Sequence, residues 1–235
     1  MDGIQMRTLG LIGGMSWEST VPYYRTINQT VKERLGGLHS ARLLLYSVDF
    51  AQIEKLQHAG DWAAAGAVLA DAARALKAGG AQLLVICTNT MHKVADAVES
   101  ASGLPLLHIA DPTGDAIRAQ GITRIGLLGT RFTMEQEFYR QRLIERHRLE
   151  VLVPDADERG IVHRVIYDEL CQGVIREASR AQYRRVMDAL IARGAQGIIL
   201  GCTEIGLLVG DGDATVPLFD TTALHARAAA LAALE

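Results

Sequence analysis

Two stretches of this 235-residue chain occur twice in the same order, and no other feature of the sequence restricts its fold as strongly. Arg7-Thr-Leu-Gly-Leu-Ile-Gly13 returns as Thr123-Arg-Ile-Gly-Leu-Leu-Gly129, and Gly80-Ala-Gln-Leu-Leu-Val-Ile-Cys-Thr-Asn89 returns as Gly194-Ala-Gln-Gly-Ile-Ile-Leu-Gly-Cys-Thr203. The separations are 116 and 114 residues. Two elements repeated in order at nearly one spacing predict a duplicated unit. We read a first domain over residues 6–112, completed by a C-terminal helix over 213–235, and a second over residues 113–212. The second alignment sets Thr88 opposite Cys202, and Asn89 opposite Thr203.

The repeated stretches have the character of buried parallel strands. Leu9–Ile12, Leu43–Tyr46, Leu83–Ile86, Arg124–Leu128 and Gly197–Leu200 are short runs, apolar on both faces, which is what a strand covered by helices on each side requires. Between them lie helical patterns. Leu69, Ala72, Ala73 and Leu76 fall at i, i+3, i+4 and i+7 in a helix over 61–78, closed by Gly79-Gly80. Further helices are predicted over about 16–34, 134–147, 158–172 and 181–193. The fold class is α/β, with two similar doubly wound parallel-sheet halves.

Composition narrows the function. With 24 Lys and Arg against 27 Asp and Glu, and no basic block, nothing marks a nucleic-acid or anionic-membrane surface. Neither a membrane span nor a signal peptide is predicted, because no apolar run approaches 18 residues and Met1–Gln5 is polar. Three cysteines, Cys87, Cys171 and Cys202, without a C-x-x-C spacing, suit a reducing compartment and no structural zinc site. We expect a cytoplasmic protein that handles a small molecule.

In open parallel sheets, ligands bind beyond the carboxyl ends of strands, where loop N–H groups and helix N-termini gather. Four segments stand there: Gly13-Gly-Met-Ser-Trp17, Cys87-Thr-Asn-Thr-Met-His92, Gly129-Thr-Arg-Phe-Thr133 and Gly201-Cys-Thr-Glu204. Their N–H groups are expected to point at an anion. Neither nucleotide-binding glycine motif is present. Of the four lysines, only Lys93 has a position compatible with a pyridoxal Schiff base. A carboxylate-bearing metabolite fits better, with no cofactor and no metal.

Cys202 is the sharpest residue. A thiol at a strand end beside a helix N-terminus is expected to have a lowered pKa, suited to proton abstraction or nucleophilic attack. Cys171, in a helix-ending context, reads as packing. Cys87 adjoins Thr88, and successive strand side chains alternate, so only one of the two faces the site. His92 lies one helical turn beyond Thr88. Glu204 is placed either to orient Cys202, to bond a substrate amine or to complement a helix dipole; Thr130 and Thr133 read equally as helix caps or ligand contacts.

The four strand-end segments together resemble the aspartate/glutamate racemase family, closest to its enterobacterial-type L-aspartate/glutamate-specific or broad-specificity branch, over essentially the whole chain. The resemblance implies a cofactor-independent racemase, two similar domains about a pseudo-twofold axis with the active site between them, and a homodimer. It also implies two catalytic cysteines, in Cys-Asn-Thr and Cys-Thr-Glu motifs. The second matches Cys202; the first falls on Thr88, with Cys87 one residue early. Met15, Ser16, Asn89, Thr90, Thr130, Thr133 and Thr203 are the expected substrate contacts, with His92, Glu204 and Cys171 in support. Aspartate-specific members tend to carry a basic residue where Cys171 stands, which argues against a strict requirement for a side-chain carboxylate.

Racemisation removes the Cα proton on one face and returns one on the other, so a base and an acid must flank a planar intermediate. Donors near Asn89, Thr90 and Thr203 would meet the charge that builds on the substrate carboxylate. A Thr88 hydroxyl is scarcely ionised near neutrality, which leaves Cys202 as the principal titrating group. Two alternatives remain: a same-fold isomerase or decarboxylase of a dicarboxylate, and a module that binds an amino acid without turning it over.

Overall fold

The computed structural model describes residues 5–235. The chain divides into two units, residues up to His108 with His225–Glu235, and Ile109–Leu224. The first contains β1 (Leu9–Gly13), α1 (Trp17–Leu35), β2 (Leu43–Ser47), α2 (Phe50–Ala59), α3 (Trp62–Ala78), β3 (Leu83–Ile86), α4 (Ala95–Ser102) and β4 (Leu106–Leu107). The second contains α5 (Ala110–Ala119), β5 (Arg124–Gly129), α6 (Arg131–Glu135), α7 (Glu137–His147), β6 (Glu150–Leu152), α8 (Ala156–Asp168), α9 (Glu177–Ala192), β7 (Ile198–Gly201), α10 (Ile205–Leu208) and β8 (Leu218–Asp220). A last helix, α11 (Thr221–Leu234), begins in the second unit and continues in the first.

Each unit has one four-stranded sheet, ordered β2-β1-β3-β4 and β6-β5-β7-β8, and every pairing is parallel. The two sheets have the same topology. This is the α/β architecture expected from the repeat. The central strands β1, β3, β5 and β7 are buried almost throughout, as helices on both faces demand. α11 places Ala226, Ala229, Ala230 and Ala233 on one stripe, buried in a cluster with Tyr23, Ile27 and Val31 of α1 and with Leu9, Leu83 and Val85.

The second unit takes in residues 109–112 and 213–224, which the repeat assigned to the first. β8 hydrogen-bonds to β7, and Ile109, Ala110 and Phe219 are buried in a cluster with β5 residues Ile125 and Leu127. The helix predicted over 134–147 is two helices, broken at Gln136, which is extended (φ −91°, ψ 154°). The helix predicted over 158–172 starts at the Asp155–Glu158 capping box and stops at Asp168, followed by a 3-10 turn over Leu170–Gln172. Among the described residues no helix is long and apolar enough to cross a membrane.

Candidate active site

β1 ends at Gly13, and the turn into α1 carries Met15 and Ser16, both buried. Gly14 has φ +88°, and a Cβ there would lie 2.4 Å from the Val48 carbonyl oxygen, so this turn requires glycine. The Gly14 N–H donates to Thr20 Oγ1 at 2.9 Å, and Thr20 Oγ1 donates to the Ser16 carbonyl at 2.9 Å. The expectation that the N–H groups of this turn await an anion therefore fails at Gly14: a threonine one turn into α1 has taken that donor.

On the neighbouring strand, β3 is followed by Cys87, Thr88, Asn89 and Thr90. Cys87 is wholly buried among Leu9, Leu11, Tyr23, Val85 and the α11 alanines, and that burial pushes its thiol pKa far up. Thr88 is 8% exposed. Asn89, Thr90 and His92 are buried, and His92 Nδ1 donates to the Thr88 carbonyl at 2.8 Å. Lys93 has its Nζ 4.1 Å from the centre of the Trp62 ring.

In the second unit, β5 and β7 end side by side, with Gly129 and Gly201 as Cα partners. A Cβ on Gly201 would lie 2.6 Å from the Leu128 carbonyl oxygen, so the approach of these strands requires glycine there. Thr130 follows Gly129 and caps α6: its Oγ1 accepts from the Thr133 N–H at 3.3 Å and lies 3.2 Å from Thr133 Oγ1. Cys202 follows Gly201, and Thr203 and Glu204 complete the turn into α10. Cys202 Sγ donates to Glu204 Oε2 at 2.8 Å, and Thr203 Oγ1 donates to the same oxygen at 3.1 Å. Cys171 packs against the cluster that includes Cys202, and burial with the negative charge of Glu204 raises its pKa.

The sense of the Cys202 shift is opposite to that expected from its position. Burial, and then the adjacent Glu204 carboxylate, hold its pKa well above the ordinary thiol value. The helix that was to lower it, α10, is a single turn and offers little dipole to set against a buried negative charge. The resting group is a thiol hydrogen-bonded to a carboxylate.

Strand register relates the two halves. In the first sheet Ile12 pairs with Ile86, and the Cys87 N–H donates to the Ile12 carbonyl at 2.9 Å, so Cys87 continues the register beside Gly13. In the second, Gly129 pairs with Gly201. Gly13 and Gly129 are repeat equivalents, hence so are Cys87 and Gly201, and the next residues are Thr88 and Cys202. The equivalence read from the sequence thus follows from hydrogen-bonded register within each sheet.

Comparison with known proteins agrees with this architecture. The Asp/Glu/hydantoin racemase family model matches residues 12–229. The chain belongs to that family. Membership places it among the racemases, which are isomerases. This racemase is 64% identical to a candidate Asp/Glu racemase from Yersinia pestis, with a TM-score of 0.90 over 98% of this chain and 100% of that one. An aspartate racemase homologue from Pyrococcus horikoshii OT3 is 33% identical, with a TM-score of 0.83 over 98% and 100%. The broad specificity amino-acid racemase RacX of Bacillus subtilis (strain 168) is 20% identical over 93% of this chain and 95% of its own.

Sequence reasoning missed several residues that fix these strand ends. Thr221 Oγ1 donates to the Leu200 carbonyl at 2.8 Å, and Thr222 Oγ1 to the Thr203 carbonyl at 3.2 Å, so the first residues of α11 tether the Cys202 turn on both sides. Tyr183, buried in the Cys202 cluster, donates to the Val162 carbonyl at 3.0 Å. The available signal was a Thr-Thr pair opening an otherwise alanine-rich helix.

Proposed function

We propose that this racemase is a cofactor-independent amino-acid racemase in which Cys202 is the main acid/base on one face of Cα and Thr88 serves the other. The observation that carries the reading is the equivalence of Thr88 and Cys202 at matching strand ends of two like sheets. Racemisation needs a proton acceptor on one face of Cα and a proton donor on the other, and equivalent strand ends of two like sheets offer one position for each. Met15, Ser16, Asn89, Thr90, Thr130, Thr133 and Thr203 are the proposed substrate contacts.

In the proposed cycle the Cys202 thiol passes its proton to Glu204, and the thiolate then takes the Cα proton. The substrate ammonium, an opposite charge brought beside a buried carboxylate and thiol, favours the thiolate that burial and the Glu204 charge disfavour. Negative charge spreads from Cα onto the substrate carboxylate, where preorganised donors lower the barrier. The Thr88 hydroxyl gives its proton to the opposite face and regains one from solvent, and Glu204 releases to solvent the proton it took from Cys202. Cys171 supplies no charge to pair with a side-chain carboxylate, which supports a substrate range of aspartate, glutamate or broader.

The protein is further proposed to work as a cytoplasmic homodimer. Its three thiols are all free, and Trp17, Val21, Tyr24, Leu38, Leu45 and Tyr46 expose apolar surface in one stretch of the first unit. The racemase reading is tested by following Cα hydrogen exchange in D2O by NMR across L- and D-amino acids. Deuterium at Cα of both enantiomers without release of CO2 is expected. Decarboxylation, or binding without exchange, would overturn it.

A further inference from the structure

The first unit buries four polar rings, Tyr23, His92, His108 and His225, and His92 meets the peptide that carries Thr88. His225 Nε2 lies 2.8 Å from the Leu107 carbonyl oxygen and Nδ1 lies 2.8 Å from Tyr23 Oη. A carbonyl oxygen only accepts, so Nε2 carries a proton, and with the ring neutral the tyrosine donates to Nδ1. By the same reasoning the Nδ1 of His92 carries the proton given to the Thr88 carbonyl. The His92 ring stands 4.5 Å from the His108 ring centre and 5.7 Å from that of His225.

A row of buried contacts thus runs from the Thr88 main chain through His92 to α1 and α11. Stability alone does not account for it, since apolar side chains would fill this volume without the cost of desolvating three imidazoles. The chain leaving β3 is also locally weak. Thr88 precedes a 3-10 turn, Thr90–Val94, whose hydrogen-bond geometry is poorer than that of an α-helix. A threonine side chain is restricted at χ1, so fixing its main chain limits the places its hydroxyl can take.

We propose that His92 is the positioning residue of the Thr88 face: its Nδ1–H bond to the Thr88 carbonyl, braced by His108 and His225, aims the hydroxyl at Cα. This rests on the racemase reading above. Cys202 has its own tether in the second unit, through Thr222, so removing the His92 bond acts on one face of the substrate only.

The test compares His92→Asn with His92→Gln. The asparagine amide nitrogen stands where Nδ1 does and keeps the bond to Thr88, whereas the glutamine amide stands where Nε2 does and loses it. Exchange of the Cα hydrogen with retention of configuration is measured for each enantiomer separately, because net racemisation must slow equally in both directions when its equilibrium constant is one. In His92→Gln, exchange of one enantiomer is expected to fall about tenfold or more, since small misplacements of a reacting group are costly. The other enantiomer should stay within about threefold, and His92→Asn should keep the wild-type ratio. Equal losses for the two enantiomers, or indistinguishable variants, would overturn the positioning role and leave the racemase reading intact. A wild type that exchanges neither enantiomer overturns the racemase reading, and the positioning role falls with it. If His92→Gln does not fold, His92→Asn decides: the wild-type ratio supports the proposal and a changed ratio contradicts it.

Discussion

The Cys202 thiol donates to Glu204 Oε2 at 2.8 Å, within a single buried turn at the end of β7. A carboxylate two residues from a thiol does two opposing things. It accepts the proton the thiol must shed, and its charge makes the thiolate harder to form.

Glu204→Gln separates these effects. Removing the carboxylate charge lowers the Cys202 pKa, so the thiolate forms at lower pH than in the wild type. Turnover should nonetheless fall, by about 10²-fold, because the proton acceptor is gone. Alkylation by iodoacetamide as a function of pH, set beside exchange rates, reads both. A variant whose turnover rises with its thiolate fraction would show that Glu204 is no proton acceptor.

Cys87→Ala is expected to act on stability. The side chain lies wholly within the core among Leu9, Tyr23 and the α11 alanines. Loss of its sulfur should cost about 1–2 kcal/mol, the lower end of large-to-small core substitutions. Denaturant melts and exchange rates check this, and a turnover loss rivalling that of Cys202→Ala would place Cys87 in the chemistry.

Alkaline conditions should destabilise the fold. Burial raises the pKa of Cys87, Cys171, Cys202 and Tyr183. Below about pH 8.5, the unfolded thiol value, both states hold these protons and pH has no effect through them. Above it the unfolded chain releases protons that the folded chain keeps, so each buried thiol removes up to about 1.4 kcal/mol of stability per pH unit. Denaturation midpoints between pH 7 and 10 should decline, less steeply in Cys87→Ala; midpoints that hold steady to pH 10 would contradict the assigned shifts.

The architecture was legible because its signal is repeated: β1, β3, β5 and β7 are apolar on both faces and lie near their expected limits. The edge strands β4, β6 and β8, two or three residues each, are too short to carry periodicity, and the missing β8 moved the unit boundary. Thr88 and Cys202 could be singled out because they follow repeated strands. The Cys202 pKa could not, since it depends on three-dimensional burial and on which way the Glu204 carboxylate turns. The histidine row draws His108 and His225 from positions 117 residues apart, a proximity that no local pattern encodes.

Thr88→Cys puts a second thiol at the place equivalent to Cys202. If the two residues serve opposite faces, the variant should raise exchange of the enantiomer whose proton lies on the Thr88 side and leave the other near its wild-type rate. Initial-rate exchange at one pH, with a thermal melt to confirm folding, measures it. An unchanged ratio of the two rates in a folded variant would remove Thr88 from the second face.

Cα hydrogen exchange by Cys202→Ala, in D2O and with each enantiomer of an accepted amino acid, bears most directly on the account. With its principal acid/base gone, the folded variant should lose exchange of at least one enantiomer and lose net racemisation in both directions. Wild-type exchange rates for both enantiomers would contradict the assignment of Cys202, and with it the mechanism built on the equivalence of the two strand ends.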